Sequence, residues 1–329
     1  MQTRSTHPLS WAAFLGRAAG VAVCLLVLQQ CSKPTGGTTG PSPNPSTQQP
    51  PTTTTPTPTV PGPQTLVGAG DIAVCDGSED AKSADATARL LDGIGGTVFT
   101  LGDNAYPNGS RENYQCYNRT WGRHKDRTRP SLGNHDYFDS AVAKPYFEYF
   151  GTNAGAAGQG YYSYDLGGWH ILVLNSGDTS LIASGAQDAW IRQDLAANAT
   201  TKCTLAYWHH PLFSSGKNGN IGYVHSMYKL LYDANVDVVL NGHDHSYERF
   251  AEQSPDGRRE DHRGIREFVV GTGGFHFYNF LTTLPNSQKQ VTGQGSTGVL
   301  KLILSADSYT WEFITTGMGV QDSGAWPCH

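Results

Sequence analysis

Five short stretches carry side chains able to hold cations or move protons. They are Gly-Asp-Ile-Ala at 70–73, Gly-Asp-Asn-Ala-Tyr at 102–106, Gly-Asn-His-Asp at 133–136, Trp-His-His-Pro at 208–211 and Gly-His-Asp-His at 242–245. Together they offer carboxylates from Asp71 and Asp103, an amide oxygen from Asn134, and imidazoles from His209, His210, His243 and His245. This set holds too much nitrogen for a calcium or magnesium cage and lacks the thiolates of a structural zinc site. It also holds more donors than one ion needs. Two ions sharing a bridging carboxylate fit better, and paired ions suit displacement at phosphorus. Taken singly, each residue has a plainer role: Asp71 as a helix cap, Asn134 as a turn former, His209 as a satisfied core histidine. Their shared placement is what argues for chemistry.

That placement follows from the elements around them. Residues 236–240, Val-Asp-Val-Val-Leu, read as a buried strand, and Gly242 permits a sharp turn after it. Extended backbone puts residues i and i+2 on one face, so His243 and His245 are expected to reach one point. Further strands are expected at 65–70, 97–101, 170–175, 203–208 and 266–270. Helices are expected at 78–94, 186–197 and 226–235; in the first, Ala81, Ala84, Ala88, Leu91 and Ile94 recur on one face. Residues 298–316 alternate like a hairpin turning near 306–308. The order implies an α/β domain with antiparallel strands toward its end. Asp71, Asp103, His209 and His243 each fall just after a strand, and ligands in such sheets bind outside the carboxyl ends of strands.

The chain has 329 residues, a formal charge of −5 and 38% hydrophobic residues, enough for one large domain with a sizeable core. The mild acidity argues against a nucleic-acid-binding module. The basic residues between Arg119 and Arg129 read as a solvated helix or loop. Arg4, His7 and Arg17 precede an apolar run at 18–28, which suits a signal-peptide core and is too short for a membrane span. "LQQC", ending at Cys31, resembles a bacterial lipoprotein signal in which the cysteine is lipidated, although Gln30 stands where a small residue is expected. The expectation is an exported protein, either tethered to a membrane at the cell surface through Cys31 or released as a secreted or periplasmic one. Residues 32–63 are Pro/Thr-rich and cannot bury enough surface to offset ordering, so they read as a disordered tether. The expected organisation is a signal segment at 1–31, a linker at 32–63 and a catalytic domain at 64–329. In that domain Cys75, Cys116, Cys203 and Cys328 suggest two disulfides. Three pairings are open; Cys75 with Cys116 and Cys203 with Cys328 is the preferred one.

The five stretches, in this order, resemble the motifs of the calcineurin-like metallophosphoesterases, and within them the purple acid phosphatase branch. "GHDHSYERF" at 242–250 and "VGTGG" at 270–274 add to the likeness. The resemblance implies a four-layer α/β/β/α sandwich of two mixed β-sheets flanked by helices. It implies one ion held by Asp71, Asp103, Tyr106 and His245, and a second held by Asp103, Asn134, His209 and His243, with Asp103 bridging. It also implies a small-molecule phosphoester substrate attacked by metal-activated hydroxide. His135 would assist the leaving group or contact phosphate. Asp136 would either orient His135 or stabilise the turn, and His210 would either contact substrate or support a ligand from behind. Ordinary relatives carry a histidine where Ala73 stands. Tyr106 instead takes the tyrosine position of the purple branch, and a phenolate favours ferric iron beside a divalent iron, zinc or manganese ion. A phosphodiesterase or nucleotidase built on the same site is the nearest alternative, and a non-catalytic surface-anchored binding module the more distant one.

Overall fold

The computed structural model describes residues 62–74 and 78–329. The expected signal segment with Cys31, nearly all of the linker, and Cys75 lie outside the described residues.

Strands β1 (Gln64–Ala69), β2 (Thr97–Leu101) and β3 (Thr128–Ser131) run parallel. Strands β4 (Tyr162–Leu166) and β5 (Trp169–Val173) pair antiparallel, and β6 (Cys203–Tyr207) and β7 (Val238–Asn241) continue parallel from β5. Then come β8 (Tyr247–Phe250), β9 (Arg266–Val270), β10 (Ser287–Val291), β11 (Gly298–Leu304), β12 (Ser308–Thr315) and β13 (Gly319–Pro327). They sort into a six-stranded sheet, β13-β12-β11-β1-β2-β3, and a seven-stranded sheet, β10-β8-β9-β7-β6-β5-β4. Both sheets mix parallel and antiparallel pairs. The helices are α1 (Glu79–Asp92), α2 (Arg111–Arg119), α3 (Lys144–Phe150), α4 (Thr179–Ser184), α5 (Ala186–Ala197) and α6 (His225–Asp233).

The period-2 alternation of the central strands explains the layering. Ile171, Val173, Leu205, Tyr207, Val238 and Leu240 join Leu66, Phe99, Leu300 and Phe313 in one core between the sheets. Their chain neighbours Leu172, Leu174, Ala206, Trp208 and Val239 point the other way, onto Ile191 of α5 and Met227, Tyr228 and Leu231 of α6. A strand covered on both faces reads as an unbroken apolar run, as 236–240 nearly does. Each such side chain contributes roughly 1.5–3 kcal/mol by leaving water. On the six-stranded side Ala84, Ala88 and Leu91 of α1 are buried, and Ser78 caps that helix by accepting from Asp80 N–H. The result is the expected sandwich of two mixed sheets flanked by helices.

Several local expectations change. Strand β3 was not legible, because its short run contains Arg129 and Pro130. The basic segment ending at Arg129 is no free surface: Trp121–Arg127 is a 3-10 helix, Arg123 pairs with Asp92, and Arg127 donates to the carbonyls of Leu91 and Gly96. Arg249 pairs with Asp322 of β13 at 2.7 Å, and its chain neighbour Glu248 has other partners. Glu248 accepts from Ser215 N–H, Ser287 Oγ and Gln290 Nε2. Cys203 and Cys328 form the expected disulfide, with Cα atoms 5.5 Å apart, tying the C-terminus to the start of β6. Cys116 is also disulfide-bonded.

Candidate metal centre

The site lies where the loops after β1, β2, β3, β6 and β7 meet. Asp71, directly after the β1 end, and Asp103, after β2, are both fully buried and both adopt positive φ, 61° and 48°. His243 does likewise at 71°. Non-glycine residues rarely adopt this conformation, and holding one there costs about 1–3 kcal/mol. The sharp left-handed bends turn side chains back toward one point. Residues 242–246 are therefore bent rather than extended, so the pairing of His243 with His245 does not arise from strand alternation as expected.

Glycines permit the close approach. A Cβ on Gly133 would lie 2.2 Å from Asp103 Oδ1, and one on Gly242 would lie 2.7 Å from Asp71 Oδ2.

The polar atoms form two adjoining groups. In the first, Tyr106 OH donates to Asp71 Oδ1 at 2.9 Å and stands 3.2 Å from His245 Nε2, which is 3.3 Å from Asp71 Oδ1. In the second, His209 Nε2 stands 3.3 Å from Asp103 Oδ2 and 3.2 Å from His243 Nδ1. Asp103 Oδ2 belongs to both, because Tyr106 OH also reaches it at 2.9 Å. Backbone carbonyls set the imidazole tautomers. His209 Nδ1–H donates to Leu101 O at 2.7 Å and His245 Nδ1–H to His276 O at 2.6 Å, so both present Nε2 to the site.

These residues fit a cation. The Asn134 side-chain oxygen is buried and has no hydrogen-bond partner among the described residues. Two imidazole nitrogens each about 2.1 Å from one ion come to lie near the His209–His243 spacing. Asp71, Asp103 and His209 can bring ligand atoms within 4.8 Å of one another, and so can His209, His210 and His243.

The electrostatics show what stands in for a cation. Burial opposes the Asp103 charge, yet His209 and His135 outweigh it and hold the carboxyl well below its ordinary range. Burial also opposes charge on His209, but Asp103 more than compensates and raises its pKa to about 9. His243 is pushed down to about 4, by burial and then by His209. Burial and the two carboxylates push the Tyr106 phenol well above its ordinary value. A proton on His209 is thus the counter-charge that a metal ion would displace.

His135 lies at the edge of this group. Its Nδ1–H donates to Pro107 O at 2.5 Å, its Nε2 is 3.9 Å from Asp103 Oδ2, and its ring stands between Tyr106 and Phe138. Of the two roles open to Asp136, its hydrogen bonds match the turn-stabilising one and none of them reaches His135. Asp136 is fully buried and accepts from Gly133 N–H, Asn104 Nδ2 and Tyr114 OH, which anchors the loop bearing Asn134 and His135. Burial, with Asp103 second, raises its pKa to about 6. His210 is nearly buried; Ser176 Oγ holds its Nδ1 at 2.9 Å, and its ring packs 4.4 Å from that of His243. The supporting carbonyls of Leu101 and His276 had no signal in the sequence. Neither did Phe275, whose ring stacks on Tyr106 at 3.8 Å, beyond its position after the Gly-rich run at 271–274.

Two facing mixed sheets with oxygen and nitrogen donors meeting at one rim define a metallophosphoesterase sandwich. A family model described as calcineurin-like phosphoesterase matches residues 65–247, and the chain belongs to that family. Its sequence relatives include purple acid phosphatases. Purple acid phosphatase 23 of Arabidopsis thaliana is 31% identical over 179 residues, 49% of this chain but only 38% of that relative. Purple acid phosphatase 22 of the same plant is 31% identical over 163 residues, 47% of this chain and 36% of its own length. Among solved structures, purple acid phosphatase PPD1 from yellow lupin (Lupinus luteus) superposes with a TM-score of 0.66 at 21% identity, covering 81% of this chain and 54% of that one. GAP50, described as the anchor in the inner membrane complex of Plasmodium, superposes with a TM-score of 0.62 at 15% identity, covering 82% and 90%. One architecture therefore carries proteins described as phosphatase and as anchor, and the site must decide between them.

Proposed function

We propose that the chain is an exported phosphatase that uses two metal ions to hydrolyse phosphomonoesters. The observation that carries this reading is the pair of donor groups sharing Asp103 Oδ2, beside the buried, unpartnered Asn134 oxygen. Asp71, Asp103, Tyr106 and His245 would hold one ion; Asp103, Asn134, His209 and His243 would hold the other. Tyr106, as a phenolate, favours ferric iron at the first position, with divalent iron, zinc or manganese at the second. A complete donor set argues against an anchor-only copy of the fold, which has no need to retain it.

Bound ions would neutralise phosphoryl oxygens and lower the pKa of water so that a nucleophile exists near neutral pH. The chain supplies the rest. The loop from Gly133 to Asp136 places His135 with Nδ1–H spent on Pro107 O, leaving Nε2 as the atom that exchanges protons. A proton held there passes to the ester oxygen as the P–O bond breaks; water supplies the oxygen that replaces it, and alcohol and phosphate leave. His210, fixed by Ser176, lines the approach beside His243.

The test is metal analysis together with hydrolysis of phenyl phosphate. Two ions per chain and turnover lost on chelation support the reading; a metal-free chain with full turnover sinks it. A visible tyrosinate-to-iron band that Tyr106→Phe removes would identify the ferric position. Export and lipid attachment rest on residues 1–63. Fatty-acid labelling that disappears in Cys31→Ala supports the anchor, whereas a soluble, unlabelled wild type supports release.

A further inference from the structure

Lys217 stands beside the candidate centre on a loop braced by the turn that carries His243 and His245. Ser214 Oγ donates to Asp244 Oδ2 at 2.5 Å, Asn218 N–H donates to Asp244 Oδ1 at 2.8 Å, and Asn218 Nδ2 donates to His243 O at 3.1 Å. Gly216 packs so tightly that a Cβ would lie 2.5 Å from Asp244 Cγ. Asp244 separates His243 from His245 in the chain, so loop and turn are one rigid piece. The Lys217 ammonium lies over the Tyr278 ring, 4.3 Å from its centroid. That ring in turn stacks on His245 at 4.1 Å, with the planes 12° apart. A single aromatic ring thus links a positive charge to a ligand imidazole. Lys217 is exposed, and no described carboxylate lies in ion-pair range of it.

A cation–π contact positions a lysine while leaving its N–H donors free for an anion. The metal ligands take the phosphoryl group that is transferred; an ammonium one ring farther out meets what is attached to it. We propose that Lys217 binds a second anionic group on the substrate, so that the site prefers phosphoesters bearing a phosphate or carboxylate beside the one cleaved. This rests on the phosphatase reading above.

The experiment compares kcat/KM for inorganic pyrophosphate, phosphoglycolate and phenyl phosphate in wild type, Lys217→Ala and Lys217→Arg. In Lys217→Ala the ratio of either substrate bearing a second anionic group to phenyl phosphate falls about fivefold at low salt, the size of an exposed charge contact. Arginine restores the ratio, and high salt removes the difference. Whichever ratio falls further names the second anion. Ratios unchanged in Lys217→Ala, or equally reduced at high salt, overturn the proposal. If the wild type hydrolyses none of the three, the phosphatase reading fails, and calorimetry on the metal-loaded protein decides this one. There, Lys217→Ala must weaken pyrophosphate more than orthophosphate, and equal weakening overturns it.

Discussion

In the six-stranded sheet the loops after β1, β2 and β3 carry Asp71, Asp103, Tyr106 and Asn134, all oxygen donors. In the seven-stranded sheet the loops after β6 and β7 carry His209, His243 and His245, all nitrogen donors. Three close contacts of the site cross this seam: Asp71 to His245, Asp103 to His209, and Asp71 Oδ2 to the His243 N–H at 2.9 Å. Neither sheet alone offers a mixed coordination set. The seam is also where the sheets hold each other away from their greasy core, with His209 Nδ1–H on Leu101 O and Gly70 N–H on Val270 O. Binding an ion and packing the sheets are therefore expected to be one linked event.

The sharpest way to break that comparison is Asp103→Asn, which removes the charge shared by both donor groups. Turnover of phenyl phosphate is expected to fall by at least about a thousandfold, with loss of bound metal by elemental analysis. Substantial activity in this variant would mean that the halves do not share a bridge. Next in size is Gly133→Ala, whose Cβ would press on Asp103 from the β3 side. A loss of roughly a hundredfold is expected with the circular dichroism spectrum kept, because only the supporting shell has moved. Unchanged kinetics would show that the loop yields freely.

Chelation probes the seam through stability. If metal sits at a thousand times its Kd, the native state gains about 4 kcal/mol, so removal should lower Tm by roughly 10 °C in calorimetry. An identical Tm with and without chelator would uncouple sheet packing from the ions. The smallest effect is expected far from the seam, at His170 of β5, held by Asp194 at 2.6 Å and Asp165 at 2.9 Å. Burial opposes its charge, but the two carboxylates outweigh it and raise its pKa above the ordinary 6.5. A raised folded-state value stabilises fully below pH about 6.5 and loses that contribution as pH climbs through the folded value. Asp194→Asn should thus depress Tm more at pH 5.5 than at pH 9, by roughly 3 °C. Equal losses at both would mean that His170 is neutral throughout.

The apolar runs made most of the central strands readable, since a strand buried on both faces announces itself by composition. The 97–101, 186–197 and 266–270 elements fall where expected. Strands β3, β4 and β10 did not, being short, edge-placed or rich in polar residues. The donor residues were legible because their types are unusual just after apolar strands. For Asp136 the sequence left two roles open: a carboxylate beside a histidine suggests a pair, yet the 3-10 turn at His135–Tyr137 sends the two side chains to different neighbours. Lys217 carried no signal, since a lysine in a Gly/Asn-rich loop resembles any solvated one.

By itself the sequence determined which chemical groups are present, their order, and that each follows a strand, because side-chain type and strand periodicity are local properties. Only the tertiary structure decided which imidazole nitrogen faces inward, which carboxylate oxygen is shared, and which charged residue stands beside the donors. Those outcomes depend on partners far away in the chain, such as Leu101 for His209, His276 for His245 and Tyr278 for Lys217. No local pattern encodes a contact that exists only once two sheets have packed.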